Sequence, residues 1–220
     1  MSEKNPRLCR QVAFCWVKNE GGTVAPLIVV SALLLLTVLA FVIDQGIACA
    51  IKVRQENALD AARDACMAPA FALVAKNLDD PGRRVAGGLA QTLYEAGVKG
   101  RVTVWFYEVP GDDLPDSRRV WGIGVQVQED SPTTLAQGLG VVSLPVASNR
   151  VIVAEPFASE VAWRPSFDGG NGRYEMDTGQ GTEPVFSRLS ELEEFPDEVR
   201  EAVRAAALAT MGEQQRKERV

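Results

Sequence analysis

Residues 24–43 read VAPLIVVSALLLLTVLAFVI, a run without a charged side chain in which Ser31 and Thr37 are the hydroxyl residues. At about 1.5 Å of rise per residue, a helix of this length crosses the ~30 Å hydrocarbon core of a bilayer. A buried core helix is the first alternative. It would be apolar on every side and would need a domain wrapped around it, which the rest of a 220-residue chain can hardly supply. A signal peptide cleaved after Ala48-Cys49-Ala50 is the second. The run exceeds the about 7 to 15 residues of a usual signal core, Asp44 and Gln45 interrupt the approach, and the helical pattern continues past the site. A lipoprotein site at Cys49 fits less well, because Gly46 stands where a bulky aliphatic residue is usual. The expectation is a transmembrane helix over residues 23–44.

Lys4, Arg7, Arg10 and Lys18 precede the span, while Lys52, Arg54 and Arg63 follow it. This small basic excess predicts a single-pass protein of the cell membrane, with residues 1–22 cytoplasmic and the C-terminal domain extracytoplasmic. The residues after the span suffice for one compact core. With 23 Lys+Arg against 29 Asp+Glu, the net charge of -6 argues against nucleic acid as a partner. Of the four cysteines, Cys9 and Cys15 lie on the side read as cytoplasmic, where thiols stay reduced. Cys49 and Cys66 fall about 25 Å apart along one helix, too far for a disulfide, and read as small apolar fillers. No histidine and no CxxC pair means that no zinc site, and no cofactor, is expected.

Beyond the span, Ile51, Ala58, Leu59, Ala62, Ala65 and Cys66 recur at three- and four-residue spacing among Lys52, Gln55, Glu56, Asp60, Arg63 and Asp64. That pattern predicts an amphipathic continuation of the same helix over residues 45–76, bent or ended by Pro69. Residues 77–165 read as a short helix over 83–96 followed by an antiparallel sheet. Its strands are expected at 101–109 and 120–128, forming a hairpin, and at 140–147 and 150–154, joined by a turn at Ser148 and Asn149, with an extension over 157–163. Residues 166–183 are read as a flexible Gly-rich loop, and 184–220 as one or two amphipathic helices with a polar tail. The predicted class is α+β: a long N-terminal helix, half transmembrane and half amphipathic, packed on a small antiparallel sheet with C-terminal helices.

Little here points to catalysis. Without histidine there is no Ser-His-Asp or Cys-His site, and no phosphate loop or metal-ligand spacing is present. Asp112, Asp113 and Asp116 share one loop, but carboxylates at a Pro/Gly loop tip are ordinarily solvated and do no acid/base work. The run DGGNGRYEMD at 168–177 lacks the alternating donors of a calcium loop. Glu191, Glu193 and Glu194 read as a solvated face near a helix start. The chain is expected not to be an enzyme.

Gly21-Gly22, the span, Asp44-Gln45-Gly46, Arg54-Gln55-Glu56-Asn57 and Ala58-Leu59-Asp60-Ala61-Ala62 with Ala65 follow one another in an order that resembles the TadE/TadG-like proteins. These are pilin-like minor components of the Tad (Flp) pilus system. The resemblance covers residues 18–70, is looser up to Phe157, and does not reach the last sixty or so residues. It implies a pilin-like architecture, other Tad/Flp pilus or secretion components as partners, self-association through the long helix, and contact with membrane lipid. The residues it marks at the membrane boundary and in helix packing are Asp44, Gly46, Gln55, Ala58, Asp60, Ala62 and Ala65. The family's usual Glu, five residues beyond the prepilin cleavage point, is replaced by Pro26 or Leu27. The TadG-like branch, which keeps its anchor, therefore fits better than a processed pilin.

Small residues at 58, 61, 62 and 65 permit close helix approach, but alanine also simply favours helix. For Asp44, solvation at the interface is the favoured reading, ahead of pairing with Lys52, Arg54 or a neighbouring subunit. Two classes of function follow. One is a structural or assembly component of a pilus or secretion apparatus; the other is a membrane-anchored extracytoplasmic binding or sensory domain.

Overall fold

Helix α1, Val24–Met67, runs unbroken for 44 residues, about 66 Å at standard rise. Pro26 lies in its first turn, where a missing N–H costs no intrahelical bond. The hydroxyls of Ser31 and Thr37 donate to the carbonyls of Ile28 and Leu33 at 2.9 and 2.8 Å, so neither polar group needs water. The computed structural model describes residues 24–67, 78, 80–110, 114, 120–134, 136–154, 170–179 and 184–217. The expected extension of the helix to residue 76 and the strand over 157–163 lie outside those residues.

Helix α2, Pro81–Glu95, begins and ends as its sequence dictates. Asp80 accepts from the Arg83 backbone N–H at 2.8 Å and Pro81 occupies the first turn. At the other end Gly97 takes φ +76°, while Gly97 N–H donates to Tyr94 O and Val98 N–H to Leu93 O, the paired closure that a left-handed residue permits.

The sheet has five antiparallel strands in the order β3-β2-β1-β4-β5. They are β1 Arg101–Glu108, β2 Trp121–Pro132, β3 Ser143–Ala154, β4 Gly172–Asp177 and β5 Val185–Arg188. Two expectations need correction. Ser148 and Asn149 form no turn; they pair with Val127 and Gln126 inside one continuous β3. The reversal instead falls between Pro132 and Ser143, where Gly140 supplies a positive φ of +87°. The stretch read as a Gly-rich loop contains β4, because Tyr174 and Met176 turn inward while Arg173, Glu175 and Asp177 turn outward. Strand β5 was not anticipated either.

Each face of the sheet is covered. On one, Val102, Val104, Phe106, Ile123, Val125, Val127, Ile152 and Tyr174 meet Ala58, Leu59 and Ala62 of α1 and Val85, Leu89 and Leu93 of α2. On the other lies α3, Asp197–Lys217, one helix that starts just after Pro196. Its Val199 and Val203 pack with Phe195, Trp105 and Tyr107. Gly122 and Gly124 make that approach possible: a Cβ at Gly124 would stand 2.5 Å from Val199 Cγ2, and one at Gly122 would collide with Val203. Glu194 prepares the entry by accepting from the backbone N–H groups of Ser190 and Glu191, and Glu193 pairs with Arg204.

Candidate functional site

The residues that the sequence marks at the membrane boundary lie where α1 leaves its apolar half and meets the β2–β3 hairpin. Asp44 is the first charged side chain of α1, and at 2% exposure it is not solvated. Its Oδ1 accepts from Thr134 N–H at 3.0 Å and Thr134 Oγ1 at 2.9 Å, and its Oδ2 from Ala136 N–H at 2.8 Å. This corrects the expected solvation. Lys52 and Arg54 are two or more turns away along the helix, whereas the short 3-10 turn Ala136–Leu139 brings backbone donors directly to the carboxylate.

Further along α1, Glu129 of β2 receives two donors, Arg54 Nη2 to Oε1 and Gln55 Nε2 to Oε2 at 3.1 Å. Gln55 is fully buried and Glu129 nearly so, so this carboxylate sits under the helix with its charge met by Arg54. Asp60, by contrast, is exposed and pairs with Arg150 of β3. Ala58 and Ala62 are buried against the sheet, while Ala65 and Ala61 are exposed. At Gly46 an added Cβ would meet nothing within 4 Å. The marked residues therefore divide: Asp44, Gln55, Ala58, Asp60 and Ala62 fasten or pack α1 onto its own sheet, and Gly46 and Ala65 face outward.

Glu129, Thr134, Ala136 and Arg150 complete the junction and were not singled out from sequence. For Glu129 a signal existed. It continues the parity of Ile123, Val125 and Val127, which places a carboxylate on an otherwise apolar strand face. A second polar fastening holds α2 to β4: the Tyr174 hydroxyl shares its one proton between Gly170 O at 2.6 Å and, at longer range, Asp80 Oδ1 at 3.2 Å. Burial, then the Asp80 carboxylate, push the Tyr174 phenol above its ordinary range.

Among the described residues no group of three or more His, Cys, Asp or Glu side chains could hold a metal. Asp112, Asp113 and Asp116 lie outside those residues, and the candidate calcium run, where described, is largely strand β4. What the site offers is attachment. One helix near the N-terminus is long and apolar enough to cross a membrane, with a mean hydropathy of 2.9 and none of its most apolar window buried. The fold and this junction define an α+β protein built on one long, half-exposed helix. No family model, no curated protein and no solved structure matches the chain.

Proposed function

We propose that this chain is a membrane-anchored, pilin-like structural or assembly component of a Tad/Flp-type pilus or a related secretion apparatus, with its sheet domain outside the cytoplasm. The observation that carries the reading is the division of α1: one continuous helix, exposed and apolar before Asp44, packed on the sheet after it. An apolar helical surface of that length has two favourable surroundings, lipid and other apolar helices, and a pilin-like subunit uses both. Gly46 and Ala65 add small residues on the outward side of the packed half, where a neighbouring helix can approach. The order of landmarks from Gly21 to Ala65 supplies the particular system, and the absence of histidine supports a non-catalytic role.

A reporter fused after Gln128 should be active only outside the cytoplasm, and intact-mass measurement of protein from its own membrane should find residues 24–43 attached. Deleting the gene should abolish or thin surface filaments, and crosslinking from Gly46→Cys should capture a secretion component or a second copy. A correctly oriented anchor with normal filaments and no crosslink would instead favour a single-pass binding or sensory domain. A cytoplasmic reporter signal would overturn the topology.

A further inference from the structure

We propose that the tip of the β2–β3 hairpin, residues 133–134 and 136–144, is a second membrane contact, lying in the headgroup and upper acyl region of the leaflet from which α1 emerges. The inference rests on the membrane-anchored reading and extends it to a surface beyond the span. Three observations converge. First, the clamp on Asp44 fixes the height of the tip: Thr134 and Ala136 bind the residue that directly follows the apolar run. Second, residues 131–149 carry no charge at all, in a chain of which 24% is charged. Third, the tip exposes apolar side chains, with Val142 67% and Val141 42% accessible and Leu144 half-buried, and α1 exposes Ile43 and Ile47 around the clamped Asp44.

The tip is also ordered enough to present those side chains. Thr133 N–H donates to Val142 O at 3.1 Å, Thr133 Oγ1 donates to Val141 O, Val141 N–H donates to Ala136 O at 3.2 Å, and Gly140 closes the 3-10 turn. Val141 is thus two hydrogen bonds from Asp44. The Asp44 clamp holds the exposed valines at the level where the apolar run of α1 ends, so the occupant that suits them is the bilayer itself. Two valines alone would bind lipid weakly. Held at the exit of a transmembrane helix, they meet the leaflet at high effective concentration and need little affinity of their own.

The test uses the full-length chain carrying Cys9→Ser, Cys15→Ser and Cys49→Ser, with buried Cys66 left in place. It is reconstituted in vesicles of phosphatidylcholine and phosphatidylglycerol. An environment-sensitive fluorophore is attached at Val142→Cys, and in a second variant at Val141→Cys, with Gln128→Cys as the exposed reference and Leu39→Cys as the span reference. Quenching by nitroxide placed near the lipid headgroup is measured. At Val142 and Val141 it should be several-fold stronger than at Gln128, with blue-shifted emission. Emission and quenching like those at Gln128, while Leu39 is quenched by deep nitroxide, would overturn this contact and leave the anchor standing. Blue-shifted emission without lipid quenching would also overturn it, by showing the tip covered by protein. Failure to quench Leu39 at any depth would overturn both readings.

Discussion

The two halves of α1 share one backbone geometry and have opposite surroundings. Residues 24–39 are exposed throughout, whereas beyond Asp44 the side chains of Gln55, Ala58, Leu59, Ala62 and Cys66 are buried. Helix formation is indifferent to this contrast; the width of the apolar surface sets it. A stripe can be satisfied by one sheet, but an all-round apolar cylinder requires surroundings that the described residues do not supply. The same bond pattern therefore carries a packed stripe in one half and an exposed, all-round apolar surface in the other.

The sharpest way to break this contrast is to shorten one leucine in each half. Leu59→Ala should lower unfolding stability by about 2–5 kcal/mol, since Leu59 is buried in the main core. Leu36→Ala, in the exposed half, should leave the thermal unfolding of the domain unchanged. Equal losses in both would mean that the apolar half is packed against protein.

Ala62→Leu should overpack the α1–sheet contact by about 1–3 kcal/mol, and Gly124→Ala should do the same to α3 on the opposite face. Ala65→Leu should be nearly neutral in the isolated protein, because Ala65 is exposed. Chemical denaturation checks all three. A large effect at Ala65 without one at Ala62 would reverse the assignment of helix faces.

Asp44→Ala removes the acceptor for the Thr134 and Ala136 donors and should cost about 1–3 kcal/mol. Hydrogen exchange should show faster opening at the amides of Thr134 and Ala136, with the core strands less affected. Uniform acceleration across the sheet would make Asp44 part of the global core rather than a local fastening.

The smallest effect concerns the thiols. Cys49 is exposed and should react readily with alkylating reagents; Cys66 is buried, and burial raises its thiol from 9.0 to about 11. The folded value lies above the unfolded one, so the contribution of the neutral thiol is complete below pH 9 and is lost as pH rises toward 11. The melting temperature should fall over that window, and Cys66→Ala should flatten the decline. The raised Tyr174 phenol acts in the same direction above pH 10 and would remain in the variant.

The long helix, α2 and the β1–β2 hairpin were legible because each has a clean period and its own punctuation, such as Pro81 and Gly97 around α2. Strand β4 was not, because glycines and charges flank just two inward residues, Tyr174 and Met176, and its place beside β1 depends on pairing at long sequence separation. The break suggested by Ser148 and Asn149 was overruled by the partner strand, since β2 continues opposite them to Pro132. At the junction, Asp44 and Gln55 were found by their landmarks, but their partners required the fold. Thr134 lies ninety residues from Asp44, with no local pattern linking them.

Among the described residues, side-chain ties at Asp44, at Arg54 with Gln55, and at Asp60 join α1 to one hairpin, and α1 is one continuous helix through its apolar and packed halves. The helix and sheet are thus coupled as a rod is coupled to a bracket. A pull along the apolar half would be delivered as shear across those ties, loading the Asp44 clamp first and the buried alanine contact behind it. A tilt of the rod in its surroundings would swing the whole sheet, with the far strand β5 travelling farthest.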